Sequence, residues 1–347
     1  MTATLSDLPY LQPYVQPHRL QDWPALIKAM TRVAPAVPTR GALADMPPRE
    51  REASLAALRS WNQRLGPIRT RDTTRVATAM ESLIASNLAS CNGGRDVLLI
   101  NGHSKMGKSQ AVVAAALIAT QEVWTKYGKR YQSNAVIPYI YVEAVAKSQG
   151  RALLQSIFSF IGVPFGRAET TLQLLLRLRD ILPQLGTRAI IIDDAHALRT
   201  GDRASRELSD TLKALITGTP CSFVFVGAGL EDSALLRQSV TDGYPAALQI
   251  GLRSQMLQML PWKHTRIGDD WSELVGKLER HILLPTGLSR GELTDAETLR
   301  WLHTKCSGRP GVLIDTVKKA AAIALDHKEP LKRRHLEAVP RTLTTTS

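Results

Sequence analysis

Gly102-His103-Ser104-Lys105-Met106-Gly107-Lys108-Ser109 fills every constrained position of the phosphate-binding pattern G-x-x-x-x-G-K-[ST]. The backbone N–H groups of such a loop turn inward onto nucleotide phosphates. Lys108 would bridge the outer phosphates, and the Ser109 hydroxyl would offer a ligand to magnesium. A second stretch, Ala189-Ile190-Ile191-Ile192, delivers two adjacent carboxylates, Asp193 and Asp194, with His196 close behind. One of these acids suits the magnesium ion and the other suits orienting or deprotonating an attacking water. A glycine-rich turn and a solvated strand end are the plainer alternatives for the two stretches taken singly. Together they point to a magnesium nucleotide.

The elements around these residues fit that chemistry. Val97 to Ile100 reads as a short buried strand leading into the loop, and Ser109 to Gln121, free of Pro and Gly, reads as the helix leading out. Continuous apolar runs of this kind belong to strands buried on both faces, and open α/β sheets bind ligands at the carboxyl ends of their strands. Further strands are predicted at Ile137 to Val142, Ala189 to Asp193, Ser222 to Val226 and, fifth, Met256 to Leu260. Helices are predicted near Ser109 to Tyr127, Arg151 to Ile161, Thr170 to Ile181 and Ser205 to Ile216. Beyond Pro261-Trp262 the pattern turns helical only, at Trp271 to Leu284, Asp295 to Lys305 and Gly311 to His327. From Pro48 to Asn87 helix formers dominate around a break at Gly66-Pro67, with Leu55, Leu58, Trp61 and Leu65 at core spacing. The proline-rich start reads as an extended arm. The expected organisation is an arm over 1–45, an α/β nucleotide-binding domain over 46–262, a small helical lid over 263–340 and a tail over 341–347.

Lys and Arg number 44 against 31 Asp and Glu, a formal net charge of +13 over 347 residues. Such an excess favours acidic polymers, above all nucleic-acid backbones. Aromatic residues make up 5 % of the chain, too few to suggest stacking on single-strand bases, so duplex phosphates are the better expectation. The longest apolar stretch, Ala111 to Ala119, is about half of what a membrane span needs. The first twenty residues lack a basic region followed by an apolar core, and Cys91, Cys221 and Cys306 form no C-x-x-C pair. A cytoplasmic protein without structural zinc is expected.

The order of helical lead-in, five α/β strands and helical lid resembles a P-loop NTPase of the AAA+ class, with a five-stranded parallel sheet. Within it the chain is similar to transposition ATPases of the TniB type, relatives of TnsC and the phage Mu B protein. The likeness runs from Pro48 to Ala338 and is carried by GHSKMGKS, RAIIIDDAHAL, FVFVGAGLEDSALLR, LRSQMLQMLPW and CSGRPGVLIDTVKKAA. It implies that Gly102 through Ser109, with Gln110, hold ATP, that Lys108 and Ser109 contact phosphate and Mg2+, and that Asp193 is the magnesium-side acid. Asp194 stands where most such proteins carry glutamate, one methylene longer, which implies slow hydrolysis. Arg253 stands where the family places an arginine that reaches the next subunit's nucleotide, a surface arginine being the alternative, with Arg237 next in line. Arg309 stands for the lid arginine that senses the γ-phosphate. Gly227-Ala228 leaves the fourth strand's usual polar sensor without a polar side chain. The resemblance further implies a homo-oligomeric filament or ring on duplex DNA, with Lys147 and Arg151 as the DNA contacts or, equally, as solvated charges. It would link a TniQ-type target selector to a DDE transposase and disassemble on ATP hydrolysis. Another AAA+ machine, such as a helicase loader or initiation ATPase, and an ATP-gated signalling module without DNA are the alternatives.

Overall fold

The computed structural model describes residues 15–31, 33–65, 68–90, 95–127, 136–144, 150–195, 203–232, 254–285 and 292–341. They form two compact units that interleave along the chain. One comprises Met1–Thr31, Val76–Asn101 and Val112–Leu257, the other Arg32–Arg75, Gly102–Ala111 and Gln258–Ser347.

The first unit is built on a five-stranded sheet of order β2-β3-β4-β1-β5. The strands are β1 (Val97–Gly102), β2 (Tyr139–Glu143), β3 (Ala189–Asp193), β4 (Ser222–Gly227) and β5 (Ser254–Met259). β1 pairs with β4, β4 with β3 and β3 with β2, all parallel, in registers that include Asn101↔Gly227, Ile192↔Phe225 and Glu143↔Asp193. Every residue of β1, β3 and β4 is buried, as a parallel sheet covered on both faces requires. β2 starts two residues later than predicted because Pro138 has no N–H for the ladder. β5 sits at the sheet edge and is only partly buried, so its apolar content placed its start two residues late and its end one residue late.

The helices of this unit are α1 (Trp23–Met30), the body of α4 (Arg71–Ala89), α5 (Lys108–Tyr127), α6 (Gly150–Ile161), α7 (Thr171–Gln184) and α8 (Arg203–Gly218). The start of the chain is therefore not wholly extended. Pro24, one of the prolines of this stretch, occupies the first helical turn, where a missing N–H costs nothing, and Trp23 anchors α1 edge-on against Phe160 at 5.6 Å.

The second unit gathers α2 (Arg40–Asp45), α3 (Pro48–Gln63), the first turn of α4, the glycine-rich loop, and helices α9 (Asp270–His281), α10 (Ala296–Cys306), α11 (Pro310–Asp326) and α12 (Arg333–Glu337). Leu58 is fully buried as predicted, but Leu55, Trp61 and Leu65 are only half-buried and Asn62 takes the inward position instead. Its amide exchanges two hydrogen bonds with the Leu283 backbone, at 2.8 and 2.9 Å, which satisfies a polar group that hydrophobic periodicity skips. Asp269 and Asp295 cap α9 and α10. The basic run Lys332-Arg333-Arg334 opens α12, where His335 Nδ1 accepts the Lys332 N–H at 3.0 Å.

Candidate nucleotide-binding site

The glycine-rich loop lies between β1 and α5, as read from the sequence. Met106 is buried and pins the loop from below, while His103, Ser104 and Lys105 are exposed and Gly107, Lys108 and Ser109 half-exposed. Two of its glycines are sterically required. A Cβ on Gly102 would meet the Met259 carbonyl at 2.4 Å, and Gly107 has φ +85°, which glycine adopts without strain. Lys108 Nζ donates to the carbonyls of Gly102 and His103 at 2.7 and 2.8 Å, curling its ammonium over the loop. A cation over a loop of backbone amides that opens a 20-residue helix is an arrangement suited to anions.

The same unit places the lid turn against this loop. Lys105 is held at φ +65° while its carbonyl accepts the Gly311 N–H at 2.8 Å, and its ammonium pairs with Asp315 Oδ2 at 2.8 Å. Gly311 belongs to the first turn of α11, whose N–H groups have no partner within the helix. Arg309, the N-cap residue of α11, is buried, and its Nε has no hydrogen-bond partner among the described residues. Trp262 fixes this turn: its N–H donates to Gly308 O at 2.8 Å, its carbonyl lies 2.8 Å from His303 Nε2, and its indole donates to buried Asp72 at 2.7 Å.

The paired acids belong to the first unit. Asp193 ends β3, is buried, and accepts the Asp194 N–H at Oδ1 at 2.7 Å and the Tyr141 hydroxyl at Oδ2. Each carboxylate oxygen keeps a lone pair for a further donor, and an oriented carboxylate of this kind has the chemistry of a hard-cation ligand. Asp194 is exposed, with φ +52°, a left-handed conformation that aspartate tolerates. Gly227 ends β4 without a polar side chain, as read.

Arg151 is in the first turn of α6, and its guanidinium donates to the Arg167 carbonyl. Lys147, His196, Arg237 and Arg253 lie outside the described residues. Sequence reasoning gave no role to Tyr141, Gly311 or Asp315; the last two lie within CSGRPGVLIDTVKKAA, but the motif does not say that they meet Lys105. Sequence reasoning also missed a cluster of His327, Glu329 and His335, whose ligand atoms lie within 4.8 Å of one another. Because Lys332 N–H donates to His335 Nδ1, the neutral ring carries its proton on Nε2, 3.3 Å from Glu329, so that nitrogen has no lone pair for a metal. Cys221 and Cys306 are buried free thiols whose pKa values burial pushes up, to about 12 and about 11. No described helix is long and apolar enough to cross a membrane.

Comparison with known proteins supplies the remaining findings. No curated protein matches the chain. Among solved structures it is similar to the Aeropyrum pernix ORC2 protein in its ADPNP–ADP complexes, with 18 % identity, TM-score 0.51, and coverage of 75 % of this chain and 66 % of that one. The ADP form of the same protein aligns with TM-score 0.53 and 18 % identity over 78 % of this chain and 68 % of that one. The Aeropyrum pernix ORC1 protein in complex with DNA aligns with TM-score 0.50 and 18 % identity over 78 % and 65 %. The chain thus spans about two thirds of the length of these structures. At this identity the likeness is one of fold, and the fold is that of the AAA+ P-loop ATPases. The profile of the family described as bacterial TniB protein matches residues 63–239, more than half of the chain, from the end of α3 through the glycine-rich loop to beyond β4. On that match the chain belongs to the TniB family, as the resemblance of its motifs implied.

Proposed function

We propose that this protein is an ATP-dependent, DNA-binding regulator of transposition. The observation that carries the reading is the TniB match across a complete phosphate loop and the Asp193-Asp194 pair. Lys108 and the loop amides bind the phosphates, and Arg309, a buried cation with an unpartnered Nε, answers the γ-phosphate from the lid. Ser109 and Asp193 would hold magnesium, directly or through water, and the ion would neutralise charge on the outer phosphates. Asp194, exposed at the strand end, orients the attacking water, and its shorter side chain makes ATP hydrolysis to ADP and phosphate slow and regulatory.

In this reading ATP-bound subunits stack head to tail on duplex DNA, a heterologous contact that continues as a filament or closes as a ring. The charge of +13 supports backbone contacts with little sequence preference. Arg253 acts in trans on the neighbouring nucleotide, and Lys147 and Arg151 contact DNA phosphates. A TniQ-type selector and a DDE transposase are the protein partners. Electron microscopy of the full chain with duplex DNA tests the reading. Ordered assemblies should form with a non-hydrolysable ATP analogue and be absent with ADP; assemblies indifferent to nucleotide or to DNA would overturn it.

A further inference from the structure

Tyr141 is the third residue of β2, opposite Ile191 in the ladder, and is 2 % exposed. Packing alone calls for phenylalanine there, because a buried hydroxyl costs free energy unless it is bonded. This hydroxyl is bonded, and its partner is Oδ2 of Asp193, two residues beyond Ile191 on the same face of the sheet. The other oxygen of Asp193 is held by the Asp194 amide, so the carboxylate is fixed at both ends.

We propose that Tyr141 is a positioning residue for the magnesium-side carboxylate: its hydroxyl holds Asp193 in one orientation, and thereby sets the affinity for the metal–nucleotide complex. The proposal rests on the role given to Asp193 above. Groups that orient a metal ligand in this way typically carry a tenfold to hundredfold effect on metal affinity.

The test measures binding of a fluorescent ATP analogue to the full chain, in EDTA and across a Mg2+ titration. The variants are Tyr141→Phe, Asp193→Asn and the pair together. Tyr141→Phe should leave affinity in EDTA unchanged and raise the Mg2+ half-saturation roughly tenfold or more. The double variant should be no worse than Asp193→Asn, since the hydroxyl acts only through that carboxylate. Fluorotyrosine at position 141, which keeps ring and hydroxyl, should retain the wild-type Mg2+ dependence. An unchanged Mg2+ dependence in Tyr141→Phe, with Asp193→Asn impaired, overturns the proposal and leaves the site reading standing. Equal losses in EDTA and in Mg2+ reduce Tyr141 to a packing residue and also overturn it. A normal Mg2+ response in Asp193→Asn removes the site reading itself.

Discussion

Gly311→Ala sets helix propensity against a backbone contact. Gly311 is the second residue of α11, and by propensity alone alanine should stabilise a helix by up to about 1 kcal/mol. The structure predicts the opposite. A Cβ at this position would lie 2.6 Å from the Lys105 carbonyl oxygen and 3.1 Å from its carbonyl carbon and Cα, all backbone atoms that no rotamer change can move aside. Relief requires the loop and α11 to part, which breaks the 2.8 Å Gly311–Lys105 hydrogen bond. Overpacking costs about 1–3 kcal/mol and a lost hydrogen bond about 1 kcal/mol, so the contact outweighs propensity by about 1–3 kcal/mol. Strain of that size, taken up by displacing Lys105, should weaken ATP binding about tenfold, at about 1.4 kcal/mol per decade. Gly41 is the matched control: it is the second residue of α2, in the same unit, and its Cβ would meet nothing within 4 Å. Urea unfolding and ATP titration should show Gly41→Ala neutral or stabilised with normal binding, and Gly311→Ala destabilised with weakened binding. An unchanged or raised midpoint for Gly311→Ala would refute the loop–lid contact.

Lys108→Ala should abolish ATP binding measured by calorimetry while circular dichroism stays that of the wild type, because its half-exposed side chain rests on carbonyls of the loop rather than in the core. Asp193→Asn should weaken Mg2+-dependent binding itself, whereas Asp194→Asn should bind normally and slow hydrolysis in a phosphate-release assay; identical behaviour of the two would show that the acids are only a strand end. Asp269→Ala should destabilise by about 1–2 kcal/mol at neutral pH, as the loss of a helix cap does. Burial pushes the Asp269 carboxyl up, but the amides of Ser272, Thr265 and Arg266 and the His264 ring outweigh it and hold its pKa below the ordinary 3.8. Its stabilisation is therefore complete above that value and lost as pH falls below it, so wild type and variant should converge in acid and differ at pH 7 in thermal unfolding.

What could be read in the sequence was local. β3 lies at Ala189–Asp193 as predicted, because an apolar run ended by two acids has one sensible reading, and the phosphate loop announces itself by glycine and lysine spacing. Contacts between distant segments were not legible. Tyr141 reads as one more core aromatic until the register with β3 brings it to Asp193. Asn62 reads as a solvent position until the Leu283 backbone takes both ends of its amide. Pro24 stands in a proline-rich stretch that reads as extended, yet the same residue type that breaks a helix interior starts one when it falls in the first turn.

The central claim is that ATP makes this protein a multivalent binder of duplex phosphates. Fluorescence anisotropy of a labelled duplex, titrated with protein in ATP and in ADP over a series of salt concentrations, measures this directly. With ATP the affinity should be high, indifferent to duplex sequence, and fall with salt at a log–log slope of about −0.9 per phosphate contacted; with ADP both affinity and slope should be smaller. Absence of duplex binding in low salt with ATP, or equal affinity and slope in the two nucleotides, would contradict it.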